Sequence, residues 1–548
     1  MSDHTMDGRT FFFMASVMAM NYHIKRLYGS FSHTTGHTIM TSNTSVYAHR
    51  NDIHTLGELR SSGYTSLSIR DEMRINLRHK LLNGETPFHG IFGYEHTVIP
   101  DIERAILSRH TMILLGLRGQ AKTRLARLLV NVLDEWIPYV AGSEIHDDPL
   151  APLSRYAHDM IAEHGDSTPI AWLHRSQRYI EKLATPDVSI ADLIGDVDPI
   201  KAAALKLPYS DERVIHFGLI PRSHRSIFVI NELPDLQPRI QVALFNILQE
   251  SDIQIRGFTM RLPLDIALIF TANPEDYTNR GSIVTPLKDR IDSQILTHYP
   301  KSPTLAQHIT DQEAQPATEQ KEQVYCPPAA KLLIEYIAFE ARKSEYVDQK
   351  SGVSARLTIS AAENLYSAAE RRALITREQS VQVRMSDCIG VIPSITGKVE
   401  LVYEGEQEGA FTVAQILIGK AIRALFSHYF PNPESFKRTA KNNPYTPIIE
   451  WFGAGNNVTF PSDITTEQYR TTLRSIQGLG DVVQRTFPDI TDNDSYFMME
   501  FVLHGLAEYS LLSKSLIDIA ESAPGFAFGD LLRSMFTMKP DDDWNDEE

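Results

Sequence analysis

A glycine-bearing segment between an apolar run and an amphipathic stretch places the strongest constraint on the fold of this chain. Residues 116–123 read GLRGQAKT, directly after the apolar run Met112–Leu115 and before a segment with helical periodicity. Small residues allow backbone N–H groups to wrap around phosphates, a lysine reaches the terminal phosphates, and a hydroxyl holds Mg²⁺. The segment therefore predicts a buried strand, a phosphate-binding loop and a helix, in that order.

Each residue of this loop receives a role. Gly116 and Gly119 form the turn, Lys122 supplies the cation and Thr123 supplies the hydroxyl for Mg²⁺. Ala121 stands where such loops normally have glycine, and it costs roughly 1 kcal/mol if the position needs a positive φ. The predicted nucleotide contacts also include these neighbours: Arg118, Gln120, Arg124 and Tyr94. The alternative is a glycine-rich turn beside a surface lysine, which requires neither the strand nor the helix.

Two further apolar runs predict additional buried strands. They are residues 227–230 (IFVI) and 266–270 (IALIF), and residues 239–252 between them have helical spacing. Residues 68–84 also have helical spacing and end in a glycine. Strands that alternate with helices indicate an α/β fold with a parallel sheet.

The alternation stops near residue 304, which predicts a change of architecture. Residues 311–323 are rich in Gln and Glu and are interpreted as part of a linker, and a small hairpin is predicted near Val399–Glu404. The predicted organisation is a disordered leader (1–39), an α/β core with an N-terminal helix (40–303), a linker (304–324), a helical lid (325–390), a mainly helical C-terminal domain with the hairpin (391–536) and an acidic tail (537–548).

Polar residues at predicted strand ends and helix starts are the candidate catalytic groups. Glu232 would activate water, Asn231 would orient Mg²⁺ through a water molecule, and Asn273 would position the attacking water. Arg290 would act as an arginine finger on a neighbouring subunit and Arg356 as a sensor within its own subunit. Each role has a structural alternative. Glu232 could be an ordinary acidic strand end, and Asn273 a turn residue before a proline. Arg290 could form a surface salt bridge, and Arg356 could be an arginine at a helix start.

Composition argues against several classes of protein. The formal net charge of −16 argues against a general binder of nucleic acid or anionic membrane, so no sequence-specific nucleic acid is expected. Cys326 and Cys388 lie far apart without metal-ligand spacing, which predicts a reduced, cytoplasmic protein. No apolar run reaches the ~20 residues of a membrane span.

Read together, the motifs resemble the AAA+ ATPases of the magnesium-chelatase I-subunit and MoxR-like group. The matching segments, over about residues 60–375, are GYE (93–95), GLRGQAKT, LIGDVDP (193–199), HFGLIPRSHRSIFVINELPDL (216–236), FTANPEDY (270–277) and TPLKDRID (285–292). The resemblance implies a phosphate-loop sheet with helices on both faces, a helical lid, and ATP with Mg²⁺. It carries roles onto Lys122, Thr123, Glu232, Asn273, Arg290 and Arg356. Asn231 departs from the usual Asp of the group, and Ala121 from its usual Gly.

The resemblance also implies partners. The active form would be a ring, expected to be a hexamer, and residues 193–201 would form the second-helix insertion that moves against a client. The client would be a protein or metal enzyme, or a separate chain with a von Willebrand A domain, since this chain has no DxSxS motif. Magnesium-chelatase activity would require further subunits.

Two other functions remain open. Asn231 and Ala121 are compatible with a nucleotide-gated assembly scaffold that hydrolyses little ATP. Residues 409–414 (GAFTVA) nearly match the GAFTGA loop of ATPases that activate enhancer-dependent sigma factors. That loop lies inside the ATPase core of those proteins, whereas here it follows Arg356, and we interpret it as the start of a helix.

Overall fold

The computed structural model describes residues 46–47, 49–209, 211–250, 252–255, 261–274, 282–436, 442–517 and 525–531. The predicted leader and the predicted acidic tail lie outside the described residues. The chain divides into two compact units, Met1–Asp52 and Ile53–Glu548. A 3-10 helix, Arg50–Asp52, lies in the first unit, and all that follows concerns the second.

A five-stranded parallel sheet forms the centre of the α/β core. Its strands are β1 (Met112–Leu115), β4 (Tyr179–Leu183), β7 (Ser226–Asn231), β10 (Ile266–Ala272) and β11 (Ser293–Leu296). They lie in the order β11-β1-β10-β7-β4, with Met112 opposite Ile269 and Ile266 opposite Ser226. The predicted α/β fold and the three predicted strands are therefore confirmed.

Side chains of the central strands pack into two separate clusters, one on each face of the sheet. Ile113 and Leu115 belong to one cluster, and Met112 and Leu114 to the other. A strand that is covered on both faces must be apolar at every position, because successive side chains point to opposite faces. This explains why the sequence shows continuous apolar runs there instead of alternation.

Helices and short hairpins surround this sheet. The helices are α1 (Leu56–Ser61), α2 (Ile69–Leu82), α3 (Val98–Leu107), α4 (Lys122–Leu128), α5 (Arg155–His164), α6 (Ile190–Leu193), α7 (Pro199–Leu205), α8 (Leu219–Arg222), α9 (Pro238–Ala243), α10 (Phe245–Glu250) and α11 (Thr285–Asp289). Antiparallel pairs join β2 (Trp136–Val140) to β3 (Ile170–His174), β5 (Gly195–Val197) to β6 (Ile215–Phe217), and β8 (Asp252–Gln254) to β9 (Arg261–Pro263). The helix predicted over 239–252 is present as two shorter helices, α9 and α10.

The prediction of a linker at residues 304–324 is wrong, because this segment forms helices that contact other parts of the chain. Helices α12 (Pro303–Glu313) and α13 (Thr318–Gln323) occupy it. Gln320 donates a hydrogen bond to the Glu370 carboxylate at 2.6 Å, and the Gln315 backbone N–H donates to Glu363 at 3.1 Å. Polar composition therefore marks the exposed face of these helices rather than an unstructured connection.

Helices dominate the remainder of the described chain. They are α14 (Pro328–Ala341), α15 (Arg356–Thr376), α16 (Ile392–Thr396), α17 (Tyr403–Glu408), α18 (Ala410–Tyr429), α19 (Thr446–Gly453), α20 (Thr466–Ser475), α21 (Leu479–Thr486) and α22 (Asp492–Glu508). One cluster of buried side chains runs through this whole region, from Val324 to Phe528. The predicted lid and the predicted C-terminal domain thus share a single core.

The predicted hairpin near Val399–Glu404 is wrong. Tyr403 begins helix α17, and Leu401 makes an isolated bridge to Val347. The small strands of this region lie elsewhere. β12 (Val324–Tyr325) pairs in parallel with β13 (Val381–Gln382), and an antiparallel sheet has the order β14 (Val458–Pro461), β16 (Gly525–Gly529), β15 (Ser513–Leu516).

Helix α18 is long and apolar enough, by length and composition, to span a membrane. In the structure it packs against α14 and α22, with residues such as Leu417 and Phe426 fully buried. Its apolar character is that of a core helix.

Candidate functional site

The loop between β1 and α4 requires glycine at two positions for steric reasons. A Cβ atom on Gly116 would lie 2.0 Å from the Thr297 hydroxyl oxygen and 2.2 Å from Gln120 Oε1. Gly119 has a φ of +72°, and a Cβ there would lie 2.1 Å from the Ser354 hydroxyl oxygen. Neither position can carry a side chain unless the neighbouring residues move.

Ala121 has the left-handed conformation, with φ 55° and ψ 18°. A non-glycine residue in this region is strained by roughly 1 kcal/mol relative to glycine. The conformation turns the chain directly into α4 at Lys122. The position does need a positive φ, so the energetic cost of alanine predicted from the sequence applies.

Three predicted residues meet at the carboxyl edge of the sheet. The Lys122 ammonium donates a 2.6 Å hydrogen bond to Asn273 Oδ1, and Asn273 Nδ2 donates a 3.0 Å bond to the Glu232 carboxylate. Lys122 also donates to the backbone carbonyls of Gly116 and Leu117. These residues follow β1, β10 and β7, which are adjacent and parallel, so the topology brings their ends together.

A threonine that the sequence analysis did not select shapes the end of β7. The Thr271 hydroxyl accepts the backbone N–H of Glu232 at 3.2 Å and donates to Asn231 Oδ1 at 3.1 Å. Glu232 itself is left-handed, with φ 56°. A strained acidic residue held by a neighbouring strand is typical of a functional site. The sequence signal that could have identified Thr271 is its hydroxyl in an otherwise apolar strand.

Arg290 and Arg356 make their described contacts outside this trio. The Arg290 guanidinium donates to Gln249 Oε1 at 3.0 Å and lies over the Phe245 ring at 4.9 Å. Arg356 is exposed and begins α15, directly after Ser354 and Ala355, the residues that lie against Gly119. The start of α15 therefore borders the phosphate loop, whereas Arg290 is attached to α10.

Tyr94 and Arg124 line a cavity of about 70 Å³ beside the loop. The Tyr94 hydroxyl lies 2.7 Å from the His298 carbonyl oxygen and 3.0 Å from the Gln120 carbonyl oxygen, and burial raises the pKa of Tyr94 to about 12. Arg124 pairs with the carboxylate of Glu313 on α12. The two residues thus connect the phosphate loop to the wall of this cavity.

Glu400 connects the loop to a distant part of the chain. Its carboxylate accepts hydrogen bonds from Arg118 in the loop and from Ser351. The Tyr299 hydroxyl donates to the Arg118 carbonyl at 2.9 Å. Nothing in the sequence around Glu400 indicates this role, because 282 residues separate it from Arg118.

Comparison with known proteins gives the following matches. No protein-family model matches the sequence. The chain is similar to a protein of Cytophaga hutchinsonii provisionally designated an ATPase (16% identity, 64% of this chain and 96% of that one, TM-score 0.27). It is similar to a subunit in a model of the BchI–BchD complex of magnesium chelatase (18% identity, 59% of this chain and 98% of that one, TM-score 0.30). It is also similar to NtrX of Brucella abortus in complex with ATP (12% identity, 70% of this chain and 69% of that one, TM-score 0.34).

These likenesses have low identities and low TM-scores, so the assignment of the core rests on its own geometry. A parallel sheet with helices on both faces has a phosphate loop after β1, an acidic residue after β7 and an asparagine after β10. This is the arrangement that the sequence resemblance to the AAA+ phosphate-loop ATPases predicts.

Proposed function

We propose that this protein is an AAA+ motor that binds and hydrolyses ATP and remodels a protein partner or metal enzyme. The observation that carries the proposal is the hydrogen-bonded series from Lys122 through Asn273 to Glu232. It connects a phosphate-binding cation to a carboxylate placed to activate water. A surface lysine beside a glycine turn would not be only 7% exposed or hydrogen-bonded to the residue that follows the neighbouring strand β10.

In this proposal each residue acts on the nucleotide in a specific way. Lys122 exchanges its bonds to the loop carbonyls and to Asn273 for bonds to phosphate oxygens, which carry more negative charge. Glu232 accepts the proton of the attacking water, and Asn273 orients the Glu232 carboxylate through its amide N–H. Its other amide atom, Oδ1, faces Lys122 and would be released when the lysine turns to phosphate.

The oxygen atoms beside these groups fit Mg²⁺, which prefers hard oxygen ligands. Thr123, next to Lys122, offers a hydroxyl, and Asn231, next to Glu232, offers an amide oxygen through a water molecule. Mg²⁺ would neutralise phosphate charge. Both protein ligands are neutral, so the nucleotide itself supplies the negative charge that binds the ion.

Exposed apolar side chains on the segment after β4 support a client-binding role. Within the second-helix insertion and its continuation, Ile200 is 82% exposed, Leu205 54% and Tyr209 63%. Ile200 and Leu205 lie on α7 and Tyr209 follows it, and exposed apolar patches mark protein-interaction sites. We propose that this surface contacts the client, a separate chain such as a von Willebrand A-domain protein, within a self-assembled ring.

Arginine roles follow from the same assembly. Arg290 would reach the nucleotide of the adjacent subunit in the ring, and Arg356, at the edge of the loop, would sense the nucleotide of its own subunit. Two variants distinguish these roles. Arg290→Ala should abolish ATP turnover, and mixing the variant with subunits that retain Arg290 should restore it. Mixing should not restore turnover to Arg356→Ala.

Turnover of ATP by the purified chain is the primary test. We expect Lys122→Ala to lose nucleotide binding and Glu232→Gln to bind ATP while turning over about 10²- to 10⁴-fold more slowly. The exposed residues Lys301 and Glu319 provide matched controls, Lys301→Ala and Glu319→Gln, that retain the parental rate. Equal rates for parent and Glu232→Gln would refute a catalytic role for this carboxylate.

A nucleotide-gated scaffold is the second candidate, favoured by the left-handed Ala121 and the uncharged Asn231. It predicts that ATP drives ring assembly, measured as particle mass, without turnover by the parent chain. The sigma-factor activator is disfavoured, because residues 409–414 begin α18, and Val413 and Ala414 are buried in the core.

A further inference from the structure

A cavity of about 280 Å³ lies within the C-terminal region, on elements that the proposed ATPase chemistry does not use. It is lined by residues of the 3-10 helix Met385–Val391, of α16, α18 and α22, and of the strands β15 and β16. Most of its wall is apolar, and the side chains include Ile389, Ile392, Ile418, Ile422, Leu516 and Phe526. The size corresponds to the lower end of small-molecule pockets.

His504 is the unusual group in this wall. Its side chain is 1% exposed, and neither ring nitrogen has a hydrogen-bond partner within the part of the chain that the structure describes. The rings of Phe526 and Phe528 hold the imidazole edge-to-face, with centroids 4.6 and 5.0 Å away. Buried polar atoms are normally paired, so an unpaired imidazole at a cavity wall is suited to a ligand.

The protonation state of His504 follows from its surroundings. Burial, followed by the positive charge of Lys514, holds the pKa of His504 well below its ordinary value. The Glu500 carboxylate oxygen nearest to the ring lies 3.9 Å from Nε2, beyond hydrogen-bonding distance. The imidazole is therefore neutral at physiological pH and offers one N–H donor and one acceptor.

Lys514 supplies a second donor to the same cavity. Its ammonium group pairs with Glu508 and lies 5.9 Å from the centroid of the Phe526 ring, which also contacts His504. His504 and Lys514 thus both lie near the Phe526 ring. The rest of the wall is mostly apolar, with Met385, Cys388 and Leu516 beside the isoleucines and Gln415 as the remaining polar side chain. This arrangement complements a molecule with one acidic end and an apolar body.

We propose that this cavity binds a small monocarboxylate with an apolar body. The carboxylate would accept hydrogen bonds from the His504 N–H and the Lys514 ammonium, and the body would pack against the isoleucines. A single cation that already has a carboxylate partner suits a monoanion better than a polyanion such as a phosphate ester. An amine would meet Lys514 as a like charge.

Isothermal titration of the full chain with octanoate tests the proposal, with 1-octanol and octylamine as probes of the same length. We expect octanoate to bind at least tenfold more tightly than either. His504→Phe keeps a planar ring without its nitrogens, and Lys514→Met keeps the length without the charge. Each should weaken octanoate binding by tenfold or more.

Two further variants separate the cavity from other sites. Ile418→Trp fills the cavity and should abolish binding. Lys331→Met removes a partly buried lysine of another cavity, where it pairs with Asp311, and should leave binding unchanged. The absence of heat with octanoate, equal affinity for 1-octanol, or unchanged binding to Ile418→Trp would each overturn the proposal. None of these outcomes depends on ATP turnover.

Discussion

Two groups of charged and polar side chains in this protein are held in different ways. At the carboxyl edge of the sheet, Lys122, Asn273 and Glu232 are joined by single hydrogen bonds, and Glu232 is partly exposed. In the C-terminal region, Arg372 binds Asp387 through two contacts of 2.8 and 3.2 Å, with side chains 1% and 2% exposed.

The buried group continues beyond that pair. The Arg384 guanidinium lies 4.4 Å from the centroid of the Tyr469 ring, and Tyr469 donates a 2.8 Å hydrogen bond to Glu500. Glu500 also accepts the backbone N–H of Met385 at 2.9 Å. We refer to Arg372, Asp387, Arg384, Tyr469 and Glu500 as the C-terminal ionic cluster.

The difference teaches how to separate structural charges from functional ones. Members of the C-terminal ionic cluster contact partners that hold them in place inside the core, so their loss destabilises the fold. The residues at the sheet edge lie just after strands, Lys122 at a helix start and Asn273 and Glu232 in loops, where a ligand can replace their present partners. Mutations should therefore change stability in the first group and ligand binding or turnover in the second.

The largest expected effect is on stability, from breaking the buried pair. Arg372→Met leaves Asp387 buried without its partner and should lower the free energy of unfolding by about 3–5 kcal/mol. Denaturant unfolding of the two proteins measures this. The neighbouring exposed residue provides the control, since Arg371→Met should change stability by less than about 0.5 kcal/mol. A small effect of Arg372→Met would contradict a stabilising role for the C-terminal ionic cluster.

A pH dependence of stability comes next in size. Burial raises the pKa of Glu500 to about 7. The folded state therefore keeps a proton that the unfolded chain loses near pH 4.5, so this stabilisation is present below pH 4.5 and is lost as pH rises to about 7. Comparison with Glu500→Gln, by unfolding between pH 4.5 and 7.5, should show up to about 3 kcal/mol of this loss.

The exposed Glu467→Gln variant is the control for that experiment, because water solvates this carboxylate in both states. A wild-type profile that matches Glu500→Gln at every pH would show that Glu500 is already ionised in the folded protein.

At the sheet edge, the expected effect is on the metal and not on the fold. Asn231→Asp adds a negative charge where Mg²⁺ would be held through water, and should strengthen Mg²⁺-dependent binding of a fluorescent ATP analogue by about 10- to 100-fold. Asn432→Asp, in a loop of the C-terminal region, is the control for the added charge. An unchanged Mg²⁺ requirement would place the ion elsewhere.

The smallest expected effect concerns the left-handed alanine. Ala121→Gly removes the conformational strain at φ 55° and should stabilise the folded protein by about 1 kcal/mol. Ala126→Gly, in the right-handed interior of α4, should do the reverse by at least about 1 kcal/mol. Thermal unfolding of both variants, with ATP turnover as a second readout, compares them. Destabilisation by Ala121→Gly would show that its methyl group packs productively.

Local patterns predicted the parts of the fold whose physics is local. The strands at 112–115, 227–230 and 266–270 are confirmed, because a strand covered on both faces must be continuously apolar. The helix predicted to start in the segment 409–414 is confirmed as α18, which begins at Ala410. The linker over 311–323 was wrong, since polar composition does not distinguish an exposed helix face from a loop. The hairpin near 399–404 was wrong because a helix begins at Tyr403.

The sequence by itself indicated a phosphate-type loop at residues 116–123, because the glycines, the lysine and the threonine that such a loop would need lie within one short segment. It also determined the sheet strands on which the candidate site depends. Only the tertiary structure decided which distant groups join them: Thr271 at Glu232 and Glu400 at Arg118. These contacts arise from chain crossings and packing between elements, and no local periodicity records them.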